Sequence, residues 1–191
     1  EWDGMIPALL AKKFDTIIAS MSITEERKKK IDFSIKYYNT PAKLVAKKNA
    51  GFDGTASGLS GKRVGVQRAT THQCSAEKLY PGAELVLYGT QEEVWQDLAA
   101  GRLDAQLSDS LQAYEGFLAL DAGKDFDFLG DAIDDVECQG VGAGFAVRKE
   151  DSALRDALSQ TILDIRADGS YKAMNDQYFA VDLVYNMALC E

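Results

Sequence analysis

What this chain lacks narrows it before any motif is read. No apolar run approaches the roughly 18 residues that a membrane span requires. No secretory leader is present, although a chain that opens at Glu1-Trp2-Asp3-Gly4 and runs straight into a helical pattern reads equally as a mature or trimmed fragment. Basic residues are in the minority: 21 Lys and Arg against 30 Asp and Glu leave a net charge of −9. Nothing resembles the basic stripe of a nucleic-acid binder. The one basic cluster, Arg27-Lys28-Lys29-Lys30, follows Glu25 and Glu26 and reads as the solvated face of a short helix. The single histidine, His72, has no nucleophile assigned to it by any motif. Neither a Gly-x-Ser-x-Gly elbow nor a His-Glu-x-x-His pair occurs, so catalytic signals are poor. Cys74, Cys138 and Cys190 are an odd set without the close pairing of a zinc site. One disulfide with a leftover thiol and three free thiols both stay open, and Cys74–Cys138 is the preferred pair if one forms. No metal and no cofactor is expected.

What is present is an ordinary globular composition, 46% hydrophobic and 27% charged over 191 residues, enough for one domain or two small lobes. The early chain predicts a helix that Asp3 can cap, with Met5, Ile6, Leu9 and Leu10 on one side. A buried strand Thr16–Ile18, a helix opened by Thr24 and a strand Ala42–Lys47 follow. Asn49–Gly61, rich in small polar residues, reads as a surface loop. Strands at Arg63–Gln67, Glu84–Tyr88 and Ala105–Leu107 then alternate with helices at Thr71–Leu79, Glu92–Ala100 and Ser110–Leu118. That interval argues for βαβ crossovers and a largely parallel sheet, hence the α/β class. Gly140-Val141-Gly142-Ala143-Gly144 lacks the lysine of a phosphate loop and is not read as one. A strand Phe145–Val147, a long helix with Leu154, Leu158, Ile162 and Ile165 on one face, and a helix from Ser170 to Phe179 complete the pattern. Val181–Glu191 is unassigned.

Small polar residues gather in three places, each just past the C-terminal end of an expected strand. The stretch Ser20-Met21-Ser22-Ile23-Thr24-Glu25-Glu26-Arg27 brings hydroxyls, backbone N–H groups and one guanidinium together, a set suited to a small carboxylate. The alternative is a strand–loop–helix join with an exposed arginine. Gln67-Arg68-Ala69-Thr70-Thr71-His72 enters a helix, where N–H groups attract anions, or where Thr70 or Thr71 simply caps. Ser108-Asp109-Ser110 places a carboxylate that either receives a ligand ammonium or caps the next helix. In open α/β sheets ligands collect beyond the carboxyl ends of strands. Two carboxylate-suited clusters and one ammonium-suited cluster there describe a site for a free α-amino acid. Trp2 is either a platform for the ligand's side chain or core packing, and Trp95 reads as core.

These segments, in this order, resemble the periplasmic amino-acid-binding proteins of ABC importers, most closely the lysine/arginine/ornithine- and histidine-binding branch. The resemblance rests on Trp2-Asp3-Gly4-Met5-Ile6-Pro7-Ala8-Leu9, Ser20–Arg27, Ile31-Asp32-Phe33-Ser34, Gly61-Lys62-Arg63-Val64-Gly65-Val66, Ala69-Thr70-Thr71 and Ala100-Gly101-Arg102-Leu103-Asp104-Ala105. Gly140-Val141-Gly142, Arg148-Lys149-Glu150-Asp151 and Arg166-Ala167-Asp168-Gly169-Ser170-Tyr171 extend it over nearly the whole chain.

The resemblance implies a two-lobed periplasmic-binding-protein type II fold, with residues 1–40 and 143–191 in lobe one, 41–142 in lobe two, and the glycine run 140–144 as a crossover that absorbs hinge rotation. It implies that Arg27 binds the ligand carboxylate, helped by Ser22 and the backbone at Thr71. Asp109 binds the ammonium with Ser20 contributing, and Trp2, Gln67 and His72 line the side-chain side. The ligand is then a polar or cationic amino acid captured by lobe closure, and the partner is the membrane permease of an ABC importer. The setting is periplasmic after removal of a signal peptide, and the full-length protein is a monomer. Two departures stand out. Relatives carry a strand, a helix and another strand before the position of Trp2, with the branch's usual disulfide, which leaves lobe one apparently incomplete here; and the three cysteines of this chain do not match the family's pair. A catalytic relative of the cyclohexadienyl-dehydratase type and a ligand-sensing receptor module are the competing readings.

Overall fold

Helix α1 (Met5–Leu10) in the computed structural model follows a 3-10 turn at Trp2–Gly4. The structure describes residues 1–133 and 135–179. Leu9 is buried, but Leu10 is exposed, and Asp3 does not cap the helix: Gly4 stands at the N-cap with no side-chain bond. The expected strand at Thr16–Ile18 reduces to isolated bridges, Ile17 to Ala146 and Ser22 to Ala143. Its alternation survives, with Ile17 buried and Ile18 60% exposed. The ladder stops because Ser20 takes a left-handed φ of 57°, which turns the backbone out of the pleat. Helix α2 (Glu25–Lys28) then opens on its Thr24 cap.

Strand β1 (Asp32–Tyr38), not expected from sequence, leads through Pro41 into β2 (Ala42–Lys47). Then come β3 (Arg63–Gln67), α3 (Thr71–Leu79), β4 (Glu84–Tyr88), α4 (Gln91–Ala99) and β5 (Ala105–Asp109), close to the expected bounds. The helix foreseen over Ser110–Leu118 is α5 (Ser110–Ala113) followed by a π-turn at Tyr114–Leu118. The unforeseen β6 (Phe126–Ile133) and α6 (Val136–Gln139) precede β7 (Ala143–Val147), α7 (Ser152–Ala167) and α8 (Ser170–Tyr178). Val181–Glu191, with Cys190, lies outside the described residues.

The chain divides into two compact units, Glu1–Asp3 with Pro41–Gln139, and Gly4–Thr40 with the described residues from Gly140. The first has a five-stranded sheet in the order β4-β3-β5-β2-β6. It is mixed where a largely parallel sheet was expected: β3 runs parallel to β4 and β5, but β2 is antiparallel to both β5 and β6. Leu44, Leu59, Val64, Val66 and Leu107 form the core on one face, and Val45, Val94, Leu98, Phe117 and Phe126 that on the other. Burying each such side chain stabilises by about 1.5–3 kcal/mol. Gly65 lets α4 and the following loop lie close on the sheet, since a Cβ there would meet Leu103 Cδ1 at 2.4 Å.

The second unit has a two-stranded antiparallel sheet, β1 with β7, paired from Asp32↔Val147 to Tyr38↔Ala143. Helix α7 lies against it along the face that the sequence pattern marks, with Ile162 fully buried and Leu154, Leu158 and Ile165 half-buried. Polar bonds fix its position: the Ile35 N–H donates to Ser159 Oγ (3.1 Å) and Arg155 pairs with Asp32 (2.6 Å). From α8, the Tyr171 hydroxyl donates to the Tyr37 carbonyl at 2.5 Å. Segment 140–142 is tied to the loop before α2. The Ile23 N–H donates to Gly142 O (2.8 Å) and the Val141 N–H to Ile23 O (3.2 Å).

Candidate functional site

In the small-sheet unit one segment holds Ser20, Ser22 and Arg27. Met21 and Ile23 are buried between and beyond the serines, which anchors the segment to the core at alternate positions. Thr24 Oγ1 accepts the Arg27 N–H at 3.2 Å, so the cap and the candidate arginine belong to one turn. Arg27 Nη1 donates to Ser22 O at 2.9 Å, which folds the guanidinium back over the serine loop. Burial pushes the Arg27 pKa down to about 10, because a cation loses hydration there. It remains fully charged near neutral pH. A planar guanidinium is a group of the kind that grips carboxylates through paired N–H···O bonds. Ser20 completes the turn by donating its N–H to the Tyr37 hydroxyl at 3.0 Å.

In the large-sheet unit β3 and β5 are parallel neighbours, so Gln67 and Asp109 leave the sheet at the same end. Gln67 Nε2 donates to Gly89 O at 3.0 Å. Thr70 caps α3: its hydroxyl donates to Gln67 O (2.6 Å) and accepts the Gln73 N–H (3.2 Å), so its side chain shapes the turn. Thr71, buried, begins the helix and His72 follows, half-buried. Asp109 is half-buried and also a cap, its Oδ1 accepting the Gln112 N–H at 3.0 Å. Trp2 joins this group through its neighbours. Arg68 pairs with Asp3 (2.7 Å) and with Glu1, which holds the Trp2 turn onto the loop after β3. That pairing is why Asp3 does not cap α1. The structure thus gathers Trp2, Gln67, Thr70, Thr71, His72 and Asp109 in one unit, and Ser20, Ser22 and Arg27 in the other.

Several residues here escaped sequence reasoning. Tyr37 and Arg68 have no local signal, since only the fold brings them to Ser20 and to the Trp2 turn. Gln73 had one: Thr70-x-x-Gln73 is a capping-box spacing. Gln139 Nε2 donates to Thr71 O (3.3 Å) and Ser75 Oγ (2.6 Å), fastening α6 to α3. Beside it Cys74 and Cys138 form a disulfide across 64 positions. A loop of that length corresponds to about 4 kcal/mol in the chain-entropy account. Thiol counting on the denatured, unreduced protein should therefore find one free thiol per chain, Cys190; a count of three contradicts the bond. Among the described residues no group of three or more His, Cys, Asp or Glu could hold a metal ion, and no helix is long and apolar enough to cross a membrane.

The family model for bacterial extracellular solute-binding proteins, family 3, matches residues 1–181. The chain belongs to that family. Within this solute-binding family it is 46% identical to the L-arginine-binding protein of Pseudomonas aeruginosa, over 96% of this chain and 71% of that protein. It is 43% identical to the histidine-binding periplasmic protein of Salmonella typhimurium, over 95% of this chain and 70% of that protein. A solved Salmonella typhimurium periplasmic binding protein of high arginine specificity superposes with a TM-score of 0.85 at 30% identity, covering 94% of this chain and 78% of that one. The fold is accordingly the α/β type II fold of periplasmic binding proteins. The disulfide of this family member links α3 to α6.

Proposed function

We propose that this chain captures a free polar or cationic L-amino acid outside the cytoplasm and delivers it to the membrane permease of an ABC importer. Arginine is the first candidate, with lysine, ornithine and histidine behind it. The observation that carries the reading is Arg27, a half-buried guanidinium folded over the serine loop at Ser22 O. In the proposed complex Arg27 takes the α-carboxylate, with Ser22 and the Thr71 backbone completing its shell. Asp109 takes the α-ammonium, with Ser20 assisting. Trp2, Gln67 and His72 face the side chain, and the cap at Thr70 holds the turn that presents them. The relatives named for arginine and histidine binding support this ligand class. We read the chain as a binding protein and not an enzyme: its clusters supply grips for both ends of an amino acid, and its relatives are named for binding. We further propose a periplasmic location following export by a signal peptide, and a monomeric state for the full-length protein.

A thermal-shift screen against the twenty amino acids, ornithine and citrulline tests this. Arginine or another cationic amino acid is expected to raise the melting temperature, because ligand at about 100 times Kd adds about 2.7 kcal/mol to the folded state. No shift with any of them contradicts the proposal.

A further inference from the structure

Left-handed backbone is disfavoured for any residue with a Cβ. Among the described residues, the non-glycine residues that adopt it are Lys12 (φ 59°), Ser20 (φ 57°) and Ala69 (φ 59°). Lys12 closes the end of α1. The other two lie in the candidate ligand-binding segments, Ser20 two residues before Ser22 and Ala69 immediately before Thr70. Both are held in the same way. The Ser20 N–H donates to the Tyr37 hydroxyl at 3.0 Å, and the Ala69 N–H donates to Gln73 Oε1 at 2.7 Å. In each case a side chain from a regular element accepts the N–H of a left-handed loop residue.

The two acceptors are themselves fixed. The Tyr37 ring packs against Phe145 with centroids 4.6 Å apart, and its carbonyl receives the Tyr171 hydroxyl from α8. Gln73 sits in the first turn of α3, and its Nε2 donates to Glu77 Oε1 at 2.8 Å, which turns Oε1 toward Ala69. Its own N–H donates to Thr70 Oγ1. A slip at Ser20 would re-aim the Ser20–Ser22 backbone, to whose carbonyl Arg27 is bonded. A slip at Ala69 would re-aim the N–H groups that open α3.

We infer that Tyr37 and Gln73 are positioning residues for amino-acid binding, each fixing through one backbone N–H the left-handed residue that aims its segment at the ligand. The inference rests on the amino-acid-binding reading above, and neither side chain need touch the ligand.

The test uses L-arginine, with lysine, ornithine and histidine as further probes, in calorimetric titrations of Tyr37→Phe, Gln73→Ala and the wild type. Site-resolved amide exchange is followed in the ligand-free proteins. Each variant is expected to bind about three- to tenfold more weakly, the worth of one hydrogen bond, with little change in melting temperature. The Ser20 amide should exchange faster in Tyr37→Phe, and the Ala69 amide faster in Gln73→Ala. Glycine takes left-handed backbone without steric cost, so adding Ala69→Gly to Gln73→Ala should return affinity to within about twofold of wild type. A merely structural role predicts the opposite, since a new loop glycine would add to the loss. Wild-type affinity and unchanged exchange in both variants overturn the inference, as does a loss that Ala69→Gly deepens. If the wild type binds none of the probes, the ligand reading itself has failed, and the positioning role falls with it even where exchange quickens.

Discussion

Arg27→Ala is expected to abolish detectable binding of arginine, weakening it by at least about 100-fold, while the protein folds as before. The size follows from removing one member of a desolvated charge pair, which costs about 2–5 kcal/mol. The folded state should tolerate the change because its own interior does not favour the cation: burial already holds the Arg27 pKa near 10. At neutral pH that lowered value is a cost borne by the free protein, and a bound carboxylate offsets it. Alanine removes the cost, the grip and the bond to Ser22 O, while the Thr24 cap bonds the backbone N–H of residue 27 and survives. Titration calorimetry and a thermal melt separate the two effects. Near-normal affinity would remove Arg27 from its proposed role.

Asp109→Asn is expected to lower affinity by about the same order, roughly 100-fold, for the converse reason: the ligand ammonium loses its counter-charge. Asparagine caps a helix about as well as aspartate. The bond from the Gln112 N–H should therefore persist, and α5 should start where it does now. Asp109→Ala should show the same loss of affinity plus about 1 kcal/mol of lost stability from the missing cap. The pair of variants distinguishes ligand binding from capping, since a pure cap predicts that Asp109→Asn is silent. Binding by Asp109→Asn within threefold of wild type contradicts the assignment.

The parts of the fold that were legible in the sequence are those where local chemistry and tertiary pairing agree. Arg63–Gln67 and Glu84–Tyr88 are short β-branched or apolar runs bounded by polar turns, and the helices after them open on Thr70 and Thr90, which do cap them. Where the two levels part, the sequence misleads. β6 carries Asp127, Gly130 and Asp131 among its apolar residues at the edge of the sheet, so half of it faces water and the alternation that marks a strand breaks at Leu129-Gly130. The helix after Asp109 passes into a π-turn where Gly116 lies under the Trp95 ring, 2.3 Å from the place a Cβ would need. Thr16–Ile18 has strand composition, yet Ser20 turns away before a ladder forms. At the candidate site, Arg27, Thr71 and Asp109 could be nominated because strand ends and helix starts show in the chain. Tyr37 could not, because it meets Ser20 only after β1 has paired with β7.

The central claim is that this chain recognises the two ends of an α-amino acid. Calorimetric titration with L-arginine and with agmatine, which keeps the guanidinium and lacks the α-carboxylate, addresses it directly. The account predicts one-to-one binding of arginine and no measurable heat from agmatine at the same concentrations. Agmatine binding as tightly as arginine would contradict it.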